Sequence, residues 1–544
     1  MKTEELQAIY AVLKVERANI EETWQAIVNV MMPHRGNFFT GPKSEAAVDW
    51  KRGRGIYDST APMAVQTLAA SIHGSLTSPS TTWFTLNFRD ADLKEDKAAK
   101  EWLDAAGREV YNALQDSNFN VEANEAYIDL VGMGTAVIIQ EELSEKHRER
   151  EGDFTFTAVL PEQMYFQQDH TGQIYRAFRK LSWTPLQIVD KFRAGVPKAI
   201  VEKATEPKQE KLEICMAVYR RENVDKHVTP PVAAALRPYG MKYFDVATGA
   251  QIGVEEGYYE MPAYAARWRK TADSQWGNSP AMLALADTLT LNALSQMTLQ
   301  ALEKVIDPAT MATERGLLSS LDLNAGGLTI VQNKDSIWPY ESKVKFADIQ
   351  QEKGELRASI RSALFVDQLE LKESPAMTAT EVQARLELMQ RLLGPTLGRL
   401  ESDFLSPLIL RSFNILLRAG RFGDLPPSLK GKSGAIDIKY VGPLARAQRK
   451  DEETAIIRWL GTLAEIAQST GNPELMDIPD FDQIAKELAE LGGVPADCLK
   501  AKEKVNTERK TREAAIQQQQ QAEANLTQQQ GNKAQAEASQ IEQA

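Results

Sequence analysis

Between Ser279 and Asp307 apolar and polar residues alternate with helical spacing, and the pattern predicts one unbroken helix. Its proline, Pro280, falls in the first turn, where a missing N–H costs nothing, and Pro308 marks the stop. At 1.5 Å per residue the helix is roughly 43 Å long. Two apolar stripes run along it. Met282, Leu285, Leu289, Ala293, Met297 and Ala301 form one; Leu291, Leu294, Leu302 and Val305 form the other. Thr288, Thr290, Asn292, Ser295, Gln296, Thr298 and Gln300 lie between them, too many polar groups for a membrane span. Two sticky faces on one helix suit packing between two neighbours, as in a ring of helices around a pore. Leu289, Leu291, Leu294, Met297 and Leu302 are therefore the candidate subunit-interface residues.

Around this helix the pattern predicts an α+β, mostly helical chain. Helical periodicity covers 1–32, 61–76, 97–117, 346–365, 378–417, 450–468 and 481–491, with a bend expected at Gly394-Pro395. Strands are predicted over 154–160, 212–219, 239–244, 328–331 and 436–441. If 279–307 and 346–365 run antiparallel, the residues between them form a small subdomain at their far end. Val366–Ala376, with Pro375, reads as a loop. From Ala515 onward there are 11 glutamines and no aromatic residue, which fits either a barrel helix or disorder.

A length of 544 residues implies several domains. Net charge is −12, which argues against a protein whose main task is gripping nucleic acid, though not against one past which DNA slides. The two cysteines, Cys215 and Cys498, exclude a disulfide framework. Met1–Arg17 reads as a charged amphipathic helix rather than a signal peptide. Catalytic chemistry is missing from the pattern. Gly431-Lys432-Ser433 resembles the end of a phosphate-binding loop, but Pro426 stands where its first glycine is required. The five histidines have no metal-ligand spacing, and no nucleophile–base constellation is evident. No cofactor, metal or catalytic residue is expected.

Four blocks resemble one family, the portal proteins (head-to-tail connectors) of short-tailed, T7-like bacteriophages. The first runs from Tyr57-Asp58-Ser59-Thr60-Ala61 through Leu76-Thr77-Ser78-Pro79 to Trp83-Phe84. The second is Arg267-Trp268-Arg269-Lys270, Trp276-Gly277-Asn278-Ser279-Pro280 and the long helix to Asp307-Pro308. The third is Met377-Thr378-Ala379-Thr380-Glu381-Val382 with Arg385, Leu393-Gly394-Pro395 and Arg399-Leu400-Glu401. The fourth is Tyr440-Val441-Gly442-Pro443-Leu444-Ala445-Arg446-Ala447-Gln448. Local readings stand beside these: Ser59-Thr60 as a helix cap, and Thr378 with Glu381 as a capping box.

The resemblance implies a ring, expected to be a dodecamer, at one capsid vertex. It implies a wing over 1–278, stem helices 279–307 and 346–365, a clip over 308–345, and a tunnel loop over 366–376. A bent wing helix and returning strand would cover 377–445, a crown 446–500, and a Gln-rich tail 501–544. Double-stranded DNA would pass through the channel. Terminase and later a tail adaptor protein would dock on the clip; major capsid, scaffold and internal core proteins are the other implied partners. Assembly is expected in the host cytoplasm, with no membrane. The DNA-channel candidates are Lys372, Arg357 and Arg361, with Leu369 and Leu371 as apolar contacts in the loop; ion pairing is the competing reading for the two arginines. Two rival functions are a non-ring adaptor or scaffold, and an ATP-driven packaging motor.

Overall fold

The computed structural model describes residues 1–35, 55–143, 153–222, 224, 232–322, 329–339, 344–369, 393–429, 436–471 and parts of 475–518, apart from isolated positions inside these ranges. The chain divides into two compact units, one of residues 1–84, 109–421 and 440–448, the other of 85–108, 422–439 and 449–544.

In the first unit the helix Thr3–Val30 lies on a five-stranded antiparallel meander, Met164–Gln168, Ile174–Trp183, Leu212–Arg220, Tyr239–Asp245 and Gln251–Tyr258. Its apolar stripe, Leu6, Tyr10 and Leu13, packs on Tyr165, Phe178, Cys215, Tyr219 and Phe244. One turn further, Arg17 is buried but fully occupied. Its guanidinium donates to the carbonyls of Pro161, Glu162 and Met164 and to the Tyr165 hydroxyl, and pairs with Glu21. Five such bonds offset the cost of burying a charge.

A second sheet has the order Phe154–Val159, Thr135–Glu142, Ala263–Arg267, all antiparallel. Its central strand is buried over Thr135–Gln140 and is covered by the helix Phe119–Met133. Gly134 turns that helix into the strand with φ +77, a conformation that glycine adopts without strain. A Cβ at Gly134 would collide with the backbone of Gly277, so this glycine also permits a close crossing. The short pair Arg269–Lys270 and Gly277–Asn278 leads from that crossing into the long helix.

The long helix spans Pro280–Ile306 and the returning one Phe346–Ala363, close to the expected bounds. Between them Thr310–Ala312 pairs antiparallel with Ile337–Pro339. The expected strand 328–331 is reduced, within the described residues, to a single bridge between Leu317 and Val331. Gly394 and Pro395 lie in regular helix; the irregularity is a π turn at Glu401–Leu405, just ahead of Pro407 and the helix Ser406–Arg418. Ser59 precedes the helix Thr60–Leu76 without capping it by its side chain. Asp58 does the work instead, accepting from the Thr60 N–H and hydroxyl.

In the second unit the strand Phe84–Phe88 pairs with Ile436–Tyr440. Trp102 Nε1 donates to the Phe422 carbonyl at 3.1 Å. The helix Pro443–Thr470 belongs to this unit from Arg449 onward; Phe481–Leu491 follows, and Arg509 makes a bidentate pair with Asp482. The loop Gly431-Lys432-Ser433, the capping box Thr378/Glu381 and most of the Gln-rich tail lie outside the described residues.

Candidate subunit-interface and channel elements

The long helix starts where Ser279 caps it. Its hydroxyl accepts from Met282 N at 3.0 Å and donates to the Gly132 carbonyl at 2.7 Å, which ties the first turn to the second sheet's helix. The returning helix lies antiparallel: Ser359 donates to Asp287 at 2.6 Å near the base, and the paired strands join the far ends. Along the long helix the buried row is Ala284, Thr288, Leu291, Ser295 and Thr298, spaced by three and four. The returning helix packs along it and itself buries Lys353 and Ile360, with Leu356 half-buried. This is a two-helix seam of heptad type, built from small and polar residues as much as from leucine. Thr288 and Thr298 return their hydroxyls to the Ala284 and Leu294 carbonyls, so neither is left unsatisfied.

The two predicted stripes therefore have different fates. Leu291 is 1% exposed and is buried within the single chain. Leu294 is half-buried at the seam's edge. Leu289 at 44% and Met297 at 64% stay exposed on the opposite face, and Leu302 is exposed on the distal turns. Leu283, Leu299 and Ile306, not picked from the pattern, are exposed as well. The threonines and serine of the buried row belong, in the sequence pattern, to the polar residues between the two stripes. Their use shows only when the partner helix is present to bring the backbones close.

A second set of contacts straps the segment before Thr60 across both helices. Asn292 donates to the Gly55 carbonyl at 2.9 Å and accepts from Tyr57 N at 2.7 Å. Asp58 accepts from two nitrogens of Arg357 at 2.7 and 3.0 Å. Burial alone would raise the Asp58 carboxyl; the bonds from Thr60 and Arg357 outweigh it and hold the group below its ordinary value. Arg357 is thus an ion-pair residue in this chain, and Arg361 pairs with Asp367 at 3.1 Å. Both follow the competing reading, and neither is a free cation. Phe365 ends the returning helix with φ +59, stacked on Trp268. Leu369 closes the short helix Val366–Leu369; Lys372, Leu371 and the rest of the expected tunnel loop lie outside the described residues.

No group of metal-binding side chains occurs among the described residues, and no described helix is long and apolar enough to cross a membrane. On the far side of the two helices Met311, Leu318, Ile330 and Trp338 are exposed.

Residues 3–499 match the family model of the bacteriophage head to tail connecting protein. The chain belongs to that family. Relatives include the portal protein of Salmonella phage epsilon15, 26% identical over 517 residues, covering 92% of this chain and 89% of that protein. The probable portal protein of Bordetella phage BPP-1 is 26% identical over 501 residues, 90% of this chain and 87% of that one. Among solved structures, a chain from the virion of a native gene transfer agent particle aligns over 82% of this chain and 99% of its own, with 12% identity and a TM-score of 0.38. A chain from the neck of the empty gene transfer agent particle aligns over 80% and 95%, with 12% identity and a TM-score of 0.39.

Proposed function

We infer that the chain is a structural portal protein that works as a closed ring at one capsid vertex, the passage for DNA into the head and out toward the tail. Membership of the head-to-tail connector family makes it a structural component of the virion. One observation supports the ring most directly. Within the chain the long helix already packs on the returning helix and on the helices Thr3–Val30 and Phe119–Met133, yet keeps Leu289 and Met297 in solvent on another side. An apolar face unrelated to the seam, met by a different surface of the next copy, is a heterologous contact, and such contacts give a ring when the rotation between copies closes. The subunit number read from the resemblance is twelve.

Within that reading the two helices form the stem, residues 1–278 the wing, 308–345 the clip and 446–500 the crown. The clip's exposed Met311, Leu318 and Trp338 support it as the place where the motor and then tail proteins dock. The loop 366–376 is the channel collar; its one lysine against Asp367, Glu370 and Glu373 favours slippage over tight binding to phosphates. Electron microscopy of the purified protein tests the ring: particles with a central hole support it, and compact monomers refute it. Deleting Leu369–Glu373 tests the collar. Rings should still form but retain less packaged DNA, and full retention would remove the loop from the channel.

A further inference from the structure

The five-stranded meander of the first unit carries helices on both faces. Neighbouring residues of a strand point to opposite sides of a sheet. Phe178, Cys215, Tyr219 and Phe244 meet the helix Thr3–Val30 on one side. Trp183 and Tyr243 point to the other, where Phe192 of the helix Pro185–Phe192 packs on both rings, at 6.3 and 4.9 Å between centroids. The helix Lys198–Ala204 follows and buries Ile200. The meander is thus a layer between two helical layers, whose outer surfaces face away from each other.

Those outer surfaces differ in charge. On Thr3–Val30, Ala8, Ala11, Val12, Val15 and Asn19 recur at helical spacing on the side opposite Leu6, Tyr10 and Leu13. All five are exposed, Val12 by 57% and Val15 by 73%. The exposed charges of this helix are Glu4, Glu5, Glu16 and Glu22 against Lys14. Beside Glu16 and Asn19 opens a cavity of about 460 Å3, floored by Tyr165, Phe166 and Trp276. An aromatic floor with a carboxylate on its rim suits a long basic side chain, its stem on the rings and its head on Glu16. On the other side of the meander, residues 184–211 carry six basic side chains against four acidic, within a chain of net −12. Arg193, Lys198 and Lys203 are exposed there, with Leu186 at 49% and Val201 at 42% among them.

Resting on the ring reading, we propose that the outer face of Thr3–Val30 docks on the helices Pro185–Phe192 and Lys198–Ala204 of the next copy. Val12 and Val15 meet Leu186 and Val201, the flanking glutamates face Arg193, Lys198 and Lys203, and one of these basic side chains fills the cavity beside Glu16. Because the two surfaces lie on opposite sides of one layer, each copy offers a different one to each neighbour, as a head-to-tail ring requires.

The test uses the full-length chain with Cys498→Ser as background, in which the remaining Cys215 is buried. Val15→Cys and Val201→Cys, singly and together, are treated with a short bifunctional maleimide once electron microscopy has established rings. Together they should give a ladder of covalent oligomers on a denaturing gel, and singly none. Rings without the ladder, or a ladder from either single variant, overturn the contact and leave the ring standing. A wild type that forms no rings overturns the ring reading and the contact with it. A charge swap gives a second readout. Glu16→Lys with Glu22→Lys, or Lys198→Glu with Lys203→Glu, should raise the concentration at which rings dissociate by about tenfold, and the four together should restore it. All four positions are exposed, and circular dichroism verifies that each variant is folded. Rings unaffected by reversal of either face, or weakened without rescue by the combination, overturn the proposal.

Discussion

Replacing Met297 by Asp separates the two faces of the long helix, because Met297 is exposed in one chain while Leu291, less than two turns away, is buried. Full burial of a Leu or Met side chain is worth about 1.5–3 kcal/mol. With 44% and 64% of Leu289 and Met297 still in solvent, a neighbouring copy can gain roughly 1 kcal/mol from each. Met297→Asp forfeits its share and adds a carboxylate with no partner, a further cost of several kcal/mol. Each subunit contact should weaken by about 3–5 kcal/mol, over a hundredfold in its equilibrium constant. A ring repeats the loss at every contact. Light scattering should therefore show rings for the wild type and species near 60.5 kDa for Met297→Asp, with the chain still folded. Leu291→Ala is the counterpart. It opens a cavity in the seam and should cost about 2–5 kcal/mol of chain stability by chemical denaturation. The reasoning is refuted if Met297→Asp assembles to normal mass with an unchanged Tm, or if Leu291→Ala leaves chain stability untouched.

Asp58→Asn should lower stability by about 1 kcal/mol at neutral pH, measured by denaturant titration, because it removes the partner of an exposed arginine. The native carboxyl is held below its ordinary 3.8, so its contribution is complete above that value and fades as pH falls through the depressed one; Asp58→Asn should flatten that acid limb. Gly134→Ala should destabilise by about 1–3 kcal/mol or more, since φ +77 and the Gly277 backbone both resist a Cβ, and circular-dichroism melting would detect it. Cys215, wholly buried with its thiol pKa pushed up by desolvation, should resist a disulfide-exchange reagent in the folded Cys498→Ser variant and react once denaturant is added.

Periodicity alone determined the long helix, its returning partner, the first helix and the strands around Cys215. Each is long or regular enough for local spacing to dominate, and Pro280 and Pro308 bracket the central helix in the sequence itself. The helix Phe119–Met133 and the strand Thr135–Glu142 were not legible. The strand is buried over Thr135–Gln140 and so lacks the alternating polar face that gives a strand its period, and the exposed edge of the helix carries Val121 among its polar residues, which blurs the helical pattern. Motif order was enough to name the family, since four blocks at the right spacing are far more specific than any one. Tertiary structure alone decided which stripe of the long helix is used within the chain. Ala284, Thr288, Ser295 and Thr298 are weakly apolar, and they are buried only because distant helices fold against this side of the long helix. It also decided that Arg357 is tied to Asp58, a partner 299 positions away that no local window can contain. Charge type is written in the sequence; whether a charge is free or spoken for depends on which distant segment folds against it.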